Sequence, residues 1–137
     1  MNLISPYFFF PGNCEEAITF YHQCLGGELA IRRFGDTEMP VEDEYKNKIM
    51  HAELVFGDNK IMFSDGAPHK KIINGNNIQI NLHFDDEQKL EQVFKKLSDG
   101  GNITMPLEVT FWNAKFGMLE DKFGIKWMVN YSLDQQN

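Results

Sequence analysis

Two cysteines in 137 residues leave little from which to build a disulfide framework. Cys14 and Cys24 fall within one predicted helix, about 15 Å apart at ~1.5 Å per residue, beyond bridging reach. They read as reduced packing residues, with Cys14 at a helix start having only a slight claim to reactivity. Basic residues are also in deficit: 13 Lys and Arg against 20 Asp and Glu give a formal charge of −7, and the cations are scattered. That leaves no electrostatic footprint for a phosphate backbone, so no nucleic acid is expected as a partner. Long apolar runs are missing too. The opening MNLISPYFFFPGN lacks a basic segment and is broken by Pro6, Pro11 and Gly12, so neither a signal peptide nor a membrane span is expected and the protein reads as cytoplasmic. The glycosylation patterns at Asn102 and Asn130 then carry no meaning.

What is present points to a packed core. The apolar fraction is 42%, aromatics reach 13% with 12 Phe, and no polar low-complexity tract occurs, which favours a globular class over a disordered one. The length suits one domain that buries roughly two thirds of its unfolded surface.

A repeat organises the chain. In NCEEAITFYHQCLGGEL, Ala17, Phe20, Tyr21 and Cys24 define one buried helix face, with Asn13 and Glu16 as a capping pair and Gly26-Gly27 as the stop. In DDEQKLEQVFKKLSDGG the plan recurs: Asp85 or Asp86 caps, Leu90, Val93, Phe94 and Leu97 form the face, and Gly100-Gly101 ends it. An apolar strand precedes each helix, over residues 3–10 and 78–84. Three strand-like runs follow each: 28–34, 49–56 and 60–64, then 103–110, 112–120 and 125–130. The expectation is an α+β fold of two β-α-β-β-β modules, about residues 1–66 and 76–132. Their sheets would unite into one cupped mixed sheet with the helices outside and a cleft inside.

Strand alternation assigns side chains to the two faces. Ile78, Ile80, Leu82 and Phe84 should face a helix, which turns Gln79, Asn81 and His83 toward the cleft. A turn at Asp58-Asn59 would pair Val55 with Met62 and Glu53 with Ser64. Leu54, Phe56, Ile61 and Phe63 then pack under the helix. His51, Glu53, Val55, Lys60, Met62 and Ser64 line the cleft, with Lys126 and Met128 in the second module, where Ile125, Trp127 and Val129 face the core.

The segments SPYFFFPGNCEEAITFYHQCLGGEL, KIMHAELVFGDNKIMFSDG and LSDGGNITMPLEVTFWNAKFGMLEDKFGIKWMVNY, in this order over nearly the whole chain, resemble the PhnB-like family. That family is a branch of the vicinal-oxygen-chelate superfamily of glyoxalase I, bleomycin-resistance proteins and extradiol dioxygenases. The resemblance implies paired β-α-β-β-β modules, a homodimer, and a divalent metal held by His or Gln on the first strand of each module and Glu on the last. Carried over residue by residue, those positions hold Pro6 or Tyr7, Gln79, Met62 and Met128. Two thioethers thus stand where two carboxylates would, which removes two ligands and two charges. Some members carry a 3-demethylubiquinone 3-methyltransferase label, yet no glycine-rich loop follows the first strand here.

The candidate pocket residues are therefore His51, Glu53, Met62, Ser64, Gln79, Asn81, Trp112 and Met128. His51 and Glu53 can form a hydrogen-bonded pair on one strand face or serve a ligand directly; the two methionines line an apolar wall. Trp112 could belong to a ligand pocket or to the core, while His22, His69 and His83 read as surface residues and 121–124 as a tight turn. The loop from Gly35 to Lys48, with Glu42, Asp43 and Glu44, is long enough to cover a cleft or embrace a second subunit. The leading expectation is a binding module for a small molecule. Its rivals are a metal-dependent lyase, isomerase or dioxygenase with a displaced site at His51, Glu53 and Gln79, and a purely structural protein.

Overall fold

The helical periodicity becomes α1 (Cys14–Leu25), in which Ala17, Phe20, Tyr21 and Cys24 are all buried, joined by Cys14 and Ile18. In α2 (Glu87–Ser98) the four predicted apolar residues Leu90, Val93, Phe94 and Leu97 are the buried ones. The computed structural model describes residues 4–136, so Leu3, the expected first residue of the opening strand, lies outside the described residues. The chain forms two compact units that divide between Ile73 and Asn74.

The first unit contains β1 (Tyr7–Phe9), α1, β2 (Glu28–Arg33), β3 (Ile49–Phe56) and β4 (Asn59–Ser64); the second contains β5 (Ile80–Phe84), α2, β6 (Asn102–Val109), β7 (Ala114–Glu120) and β8 (Lys126–Ser132). Each unit has a four-stranded mixed sheet with the same topology, β1-β4-β3-β2 and β5-β8-β7-β6. In each, the first strand runs parallel to the last, and the other pairings are antiparallel. The parallel pair needs a crossover, which the rest of the module supplies. The fold is therefore α+β, built from paired β-α-β-β-β modules.

The first core is aromatic. Phe63 on β4 stacks on Tyr21 of α1 at 5.8 Å and meets the edge of Phe8 at 5.7 Å. Leu54, Ile61 and Phe63 are buried as the alternation requires. In the second core Trp127 and Val129 of β8 are fully buried beside Leu90 and Leu97 of α2.

Several local expectations are corrected. The β3–β4 hairpin pairs Glu53 with Met62 and Val55 with Lys60, two residues from the expected register. The loop is Gly57-Asp58, because only Gly57 of the pair takes positive φ (57°) and a glycine leads naturally into a two-residue turn. The shift is even, so every side chain keeps its face. Ile78 does not face α2: β5 begins at Ile80, and Ile78 is 76% exposed. Trp112 is not in a strand, because Asn113 adopts φ 61° and its N–H bonds the Thr110 carbonyl in a turn ahead of β7.

Capping also differs between the helices. Asp86 caps α2 by accepting from the N–H groups of Gln88 and Lys89. Asn13 makes no side-chain cap on α1, and its buried Oδ1 has no partner among the described residues. Asp65, at the end of β4, takes the role across 51 residues of sequence: Oδ1 accepts from Cys14 N–H at 2.9 Å and Oδ2 from Ile49 N–H at 2.8 Å. Cys14 is buried with its thiol pushed up by desolvation first and by the Asp65 and Glu15 charges next, which removes its claim to reactivity.

The paired glycines stop the helices for a steric reason. A Cβ on Gly27 would lie 2.2 Å from the Val55 carbonyl oxygen, and one on Gly101 would lie 2.3 Å from that of Glu120. Each glycine lets the helix exit pass against a hairpin strand. Gly101→Ala is expected to destabilise the protein by about 1–3 kcal/mol through this clash. Gly75→Ala, whose added carbon meets only an ordinary contact at 3.6 Å, should change stability by less than about 0.5 kcal/mol in urea melts.

Candidate functional site

The face of the first sheet turned away from α1 carries a linked polar group. Register sets Tyr7 beside Met62, Met62 beside Glu53, and Glu53 beside Ala30, while Arg32 lies opposite His51. The Tyr7 hydroxyl lies 2.8 Å from His51 Nδ1, His51 Nε2 lies 2.9 Å from Glu53 Oε2, and Lys60 Nζ donates to Glu53 Oε1 at 2.8 Å. The neutral imidazole fits this chain as the Nε2–H tautomer, accepting from Tyr7 and donating to Glu53. Protonation of His51 would reverse the first bond. Nδ1–H would donate to the Tyr7 oxygen and release the hydroxyl proton toward a ligand.

The environment tunes the ends of the chain. The hydrogen bond from Lys60, and then that from His51, hold the Glu53 carboxyl below its usual range. Burial pushes the Tyr7 phenol up, a hydrogen bond with Ser64 opposes this, and the nearby Cys14 and Glu53 charges add to it. Tyr7 therefore stays a neutral phenol near pH 7 and Glu53 an anion.

His51, Glu53 and Met62 are thus brought together, all half-buried. Ser64 adjoins them but is itself buried, its Oγ accepting from Gly66 N–H at 2.8 Å. Asn81 and Met128 are neighbours in the second sheet, where Met128 also pairs with Met118 and Met118 with Met105. Gln79 precedes β5, and its buried Oε1 has no partner among the described residues. Trp112 is 47% exposed and packs edge-on against Phe111 and Phe116. His69 and His83 are exposed, and the exposed His22 bonds the Gly27 carbonyl through Nε2 at 2.9 Å.

Tyr7 and Lys60 gain their importance only from this geometry. The contact from Tyr7 to His51 spans 44 residues. Alternation placed Lys60 on the same face as Glu53; their ion pair follows from the two-residue shift in register.

Residues 2–130 match the family described as 3-demethylubiquinone-9 3-methyltransferase. The chain is 34% identical to Protein YjdN of Escherichia coli (strain K12), over 93% of either protein. The crystal structure of protein PA1353 from Pseudomonas aeruginosa superposes with a TM-score of 0.87 at 44% identity, covering 96% of this chain and 98% of that one. The PhnB protein from Bacillus cereus does so with 0.77 at 25%, covering 96% and 100%. The chain belongs to the PhnB-like family. At the level of fold alone, this PhnB-like chain is also similar to the fosfomycin resistance protein FosX from Listeria monocytogenes, with a TM-score of 0.68 at 10% identity.

The metal implied by the wider superfamily does not fit this PhnB-like donor set. Among the described residues no group of three or more His, Cys, Asp and Glu side chains is placed to hold an ion. Both ring nitrogens of His51 and both oxygens of Glu53 are already bonded within the protein. At the positions that the resemblance implies, the first unit offers a phenol and a thioether, Tyr7 and Met62, and the second an amide and a thioether, Gln79 and Met128, each a poor set for a hard or borderline dication.

Proposed function

We propose that this PhnB-like protein binds a small organic molecule on the sheet face of the first unit carrying Tyr7, His51, Glu53 and Met62, with Ser64 as a further candidate for contact; Gln79, Asn81, Trp112 and Met128 are candidates of the second unit taken by itself. The observation that carries the reading is the hydrogen-bonded chain from Tyr7 through His51 to Glu53, half-exposed on a face rather than closed into the core. Such a chain presents a ligand with a hydroxyl that donates or accepts according to the charge on His51, beside the apolar surface of Met62. Orientation of a ligand and, where its chemistry needs it, movement of one proton are what these groups can supply.

The methyltransferase description of the family finds little support in the chain between β1 and α1. It is Phe10-Pro11-Gly12-Asn13, with one glycine and no phosphate-cradling loop. The reading includes a homodimer in the cytoplasm, in keeping with the family resemblance; among the described residues no helix is long and apolar enough to cross a membrane. Light scattering on the purified protein tests the dimer.

A thermal-shift screen of the purified protein against divalent metals and a metabolite library tests the binding. At least one organic compound should raise the midpoint; a ligand at 100 times its Kd stabilises by about 2.7 kcal/mol. His51→Ala and Tyr7→Phe should abolish that gain while changing the unliganded stability by less than about 1 kcal/mol, since the pair is partly solvated. A screen without a single stabilising compound would sink the reading. Stoichiometric Zn, Ni, Mn or Fe that is lost in His51→Ala would instead establish a metal-dependent enzyme.

A further inference from the structure

The cations of the first unit are mostly committed. Arg33 pairs with Glu15, Lys46 with Asp43 and Lys60 with Glu53, and Lys48 donates to the Gly12 carbonyl at 2.7 Å. Arg32 is different. It lies directly across from His51 on the neighbouring strand, with its side chain on the same face, and has neither an ion pair nor a hydrogen bond among the described residues. Glu28, the acidic residue on that face of β2, is four residues along, ~13 Å away at ~3.3 Å per residue. On a chain of charge −7 this guanidinium beside His51 has no counter-ion of its own among the described residues.

An aromatic platform occupies the opposite edge of the same face. Tyr7 and Phe9, alternate residues of β1, stack with centroids 4.9 Å apart and planes 21° from parallel, and they are 37% and 44% exposed. Lys70 Nζ lies 5.3 Å from the Phe9 centroid, a cation over the ring. Between platform and guanidinium lie Met62, the His51–Glu53 pair and Ala30, which has a small side chain. The Glu53 carboxylate in that space is ion-paired with Lys60, which offsets its charge toward an incoming anion. β1 and β2 are three strand spacings apart, ~14 Å, a gap that an extended arginine and a flat two-ring ligand can span.

Resting on the proposed binding function, we infer that the ligand class is an aromatic carboxylate, its ring on the Tyr7–Phe9 platform and its carboxylate held by the Arg32 guanidinium. The guanidinium fork matches a carboxylate with two parallel N–H bonds, and the ring gains stacking and contact with the polarisable Met62. Lys70, over the Phe9 ring, adds positive potential at the platform end.

The test uses 2-naphthoate, its neutral amide 2-naphthamide, and the saturated decahydronaphthalene-2-carboxylate. Each is titrated into the whole protein by calorimetry and by backbone amide shift mapping. The naphthoate should bind, with shifts centred on Tyr7, Phe9, Arg32 and His51. Arg32→Gln should weaken it by about tenfold to a hundredfold, the range for loss of a charge-assisted hydrogen-bonded pair. The amide should bind the wild type about as weakly as the naphthoate binds Arg32→Gln, and should be indifferent to that substitution. The saturated acid should bind more weakly than the naphthoate, with Phe9→Leu closing the difference. Equal affinity for amide and acid, or naphthoate binding unchanged in Arg32→Gln, would overturn the aromatic-carboxylate assignment while leaving the face as a binding surface. Failure of the naphthoate to bind at all would also overturn it, and the metabolite screen then decides the broader reading separately.

Discussion

Asp65→Ala is expected to lower the stability of the protein by about 3–4 kcal/mol, the largest effect of any single polar substitution in the first unit. Asp65 is 3% exposed and accepts from two backbone donors, Cys14 N–H at the start of α1 and Ile49 N–H at the start of β3. Alanine leaves both N–H groups buried, at roughly 1–3 kcal/mol each. It also removes an anion from a helix N-terminus, where the exposed peptide dipoles favour one. Asp65→Asn should fall between alanine and wild type, because its amide keeps one acceptor but turns an NH2 donor toward the second N–H. The contrast that isolates the mechanism is Asn13→Ala. A true N-cap costs about 1 kcal/mol on truncation, whereas Asn13 accepts no helix N–H and should cost less than about 0.5 kcal/mol. Urea melts followed by circular dichroism should show a shifted midpoint with an unchanged slope for Asp65→Ala. A loss below about 1 kcal/mol, or a larger loss for Asn13→Ala, would contradict this account.

In the second unit the largest effect belongs to Trp127. It is fully buried on β8, and its indole N–H donates to Asp121 Oδ2 at 2.8 Å. The same carboxylate accepts from Phe123 N–H at 2.8 Å and Ile125 N–H at 3.1 Å through Oδ1, so it shapes the turn between β7 and β8 as well. Trp127→Ala should cost about 3–5 kcal/mol from lost contacts and the cavity left behind. Trp127→Phe keeps most of the ring volume and loses the indole donor, for about 1–2 kcal/mol. Trp112 is nearly half exposed, so in a Trp112→Phe background the fluorescence of Trp127 reports the core of this unit alone. Its emission should be that of an indole shielded from water and should shift to longer wavelength at the urea midpoint. An emission already at long wavelength in the native state would show that Trp127 is not the buried anchor.

These two residues also separate what sequence could convey from what it could not. Trp127 was legible: alternation along β8 turned it to the core and Met128 to the opposite face, and the structure keeps that parity. The helix faces, the glycine stops and the doubled β-α-β-β-β plan were legible for a like reason, since each is read from a period, a local steric signal or its recurrence along the chain. Asp65 was not. Its partners are 51 and 16 residues away, and an Asn standing at the cap position offered a local explanation that the structure does not use.

Errors at the strand ends have a related cause. Ile78 continues the alternation of β5 in sequence, but pairing with β8 starts only at Ile80 opposite Trp127, and an unpaired residue has no sheet to give it a face. The hairpin register depended on which residue would take positive φ, and Gly57 rather than the Asp58-Asn59 pair decided it. Because the displacement was even, His51, Glu53, Lys60 and Met62 still emerged on one face.

By itself the sequence determined the class of fold, the two helix faces and the side of each central strand that meets water. Local chemistry suffices for these, because chain period and residue type are independent of distant partners. Only the tertiary structure decided that Tyr7 closes onto His51, that Lys60 pairs with Glu53, and that Arg32 stands opposite His51 without a partner among the described residues. A hydrogen bond is made or lost over a few tenths of an ångström, and three-dimensional strand pairing, rather than spacing along the chain, brings donors and acceptors from β1, β2, β3 and β4 within that range.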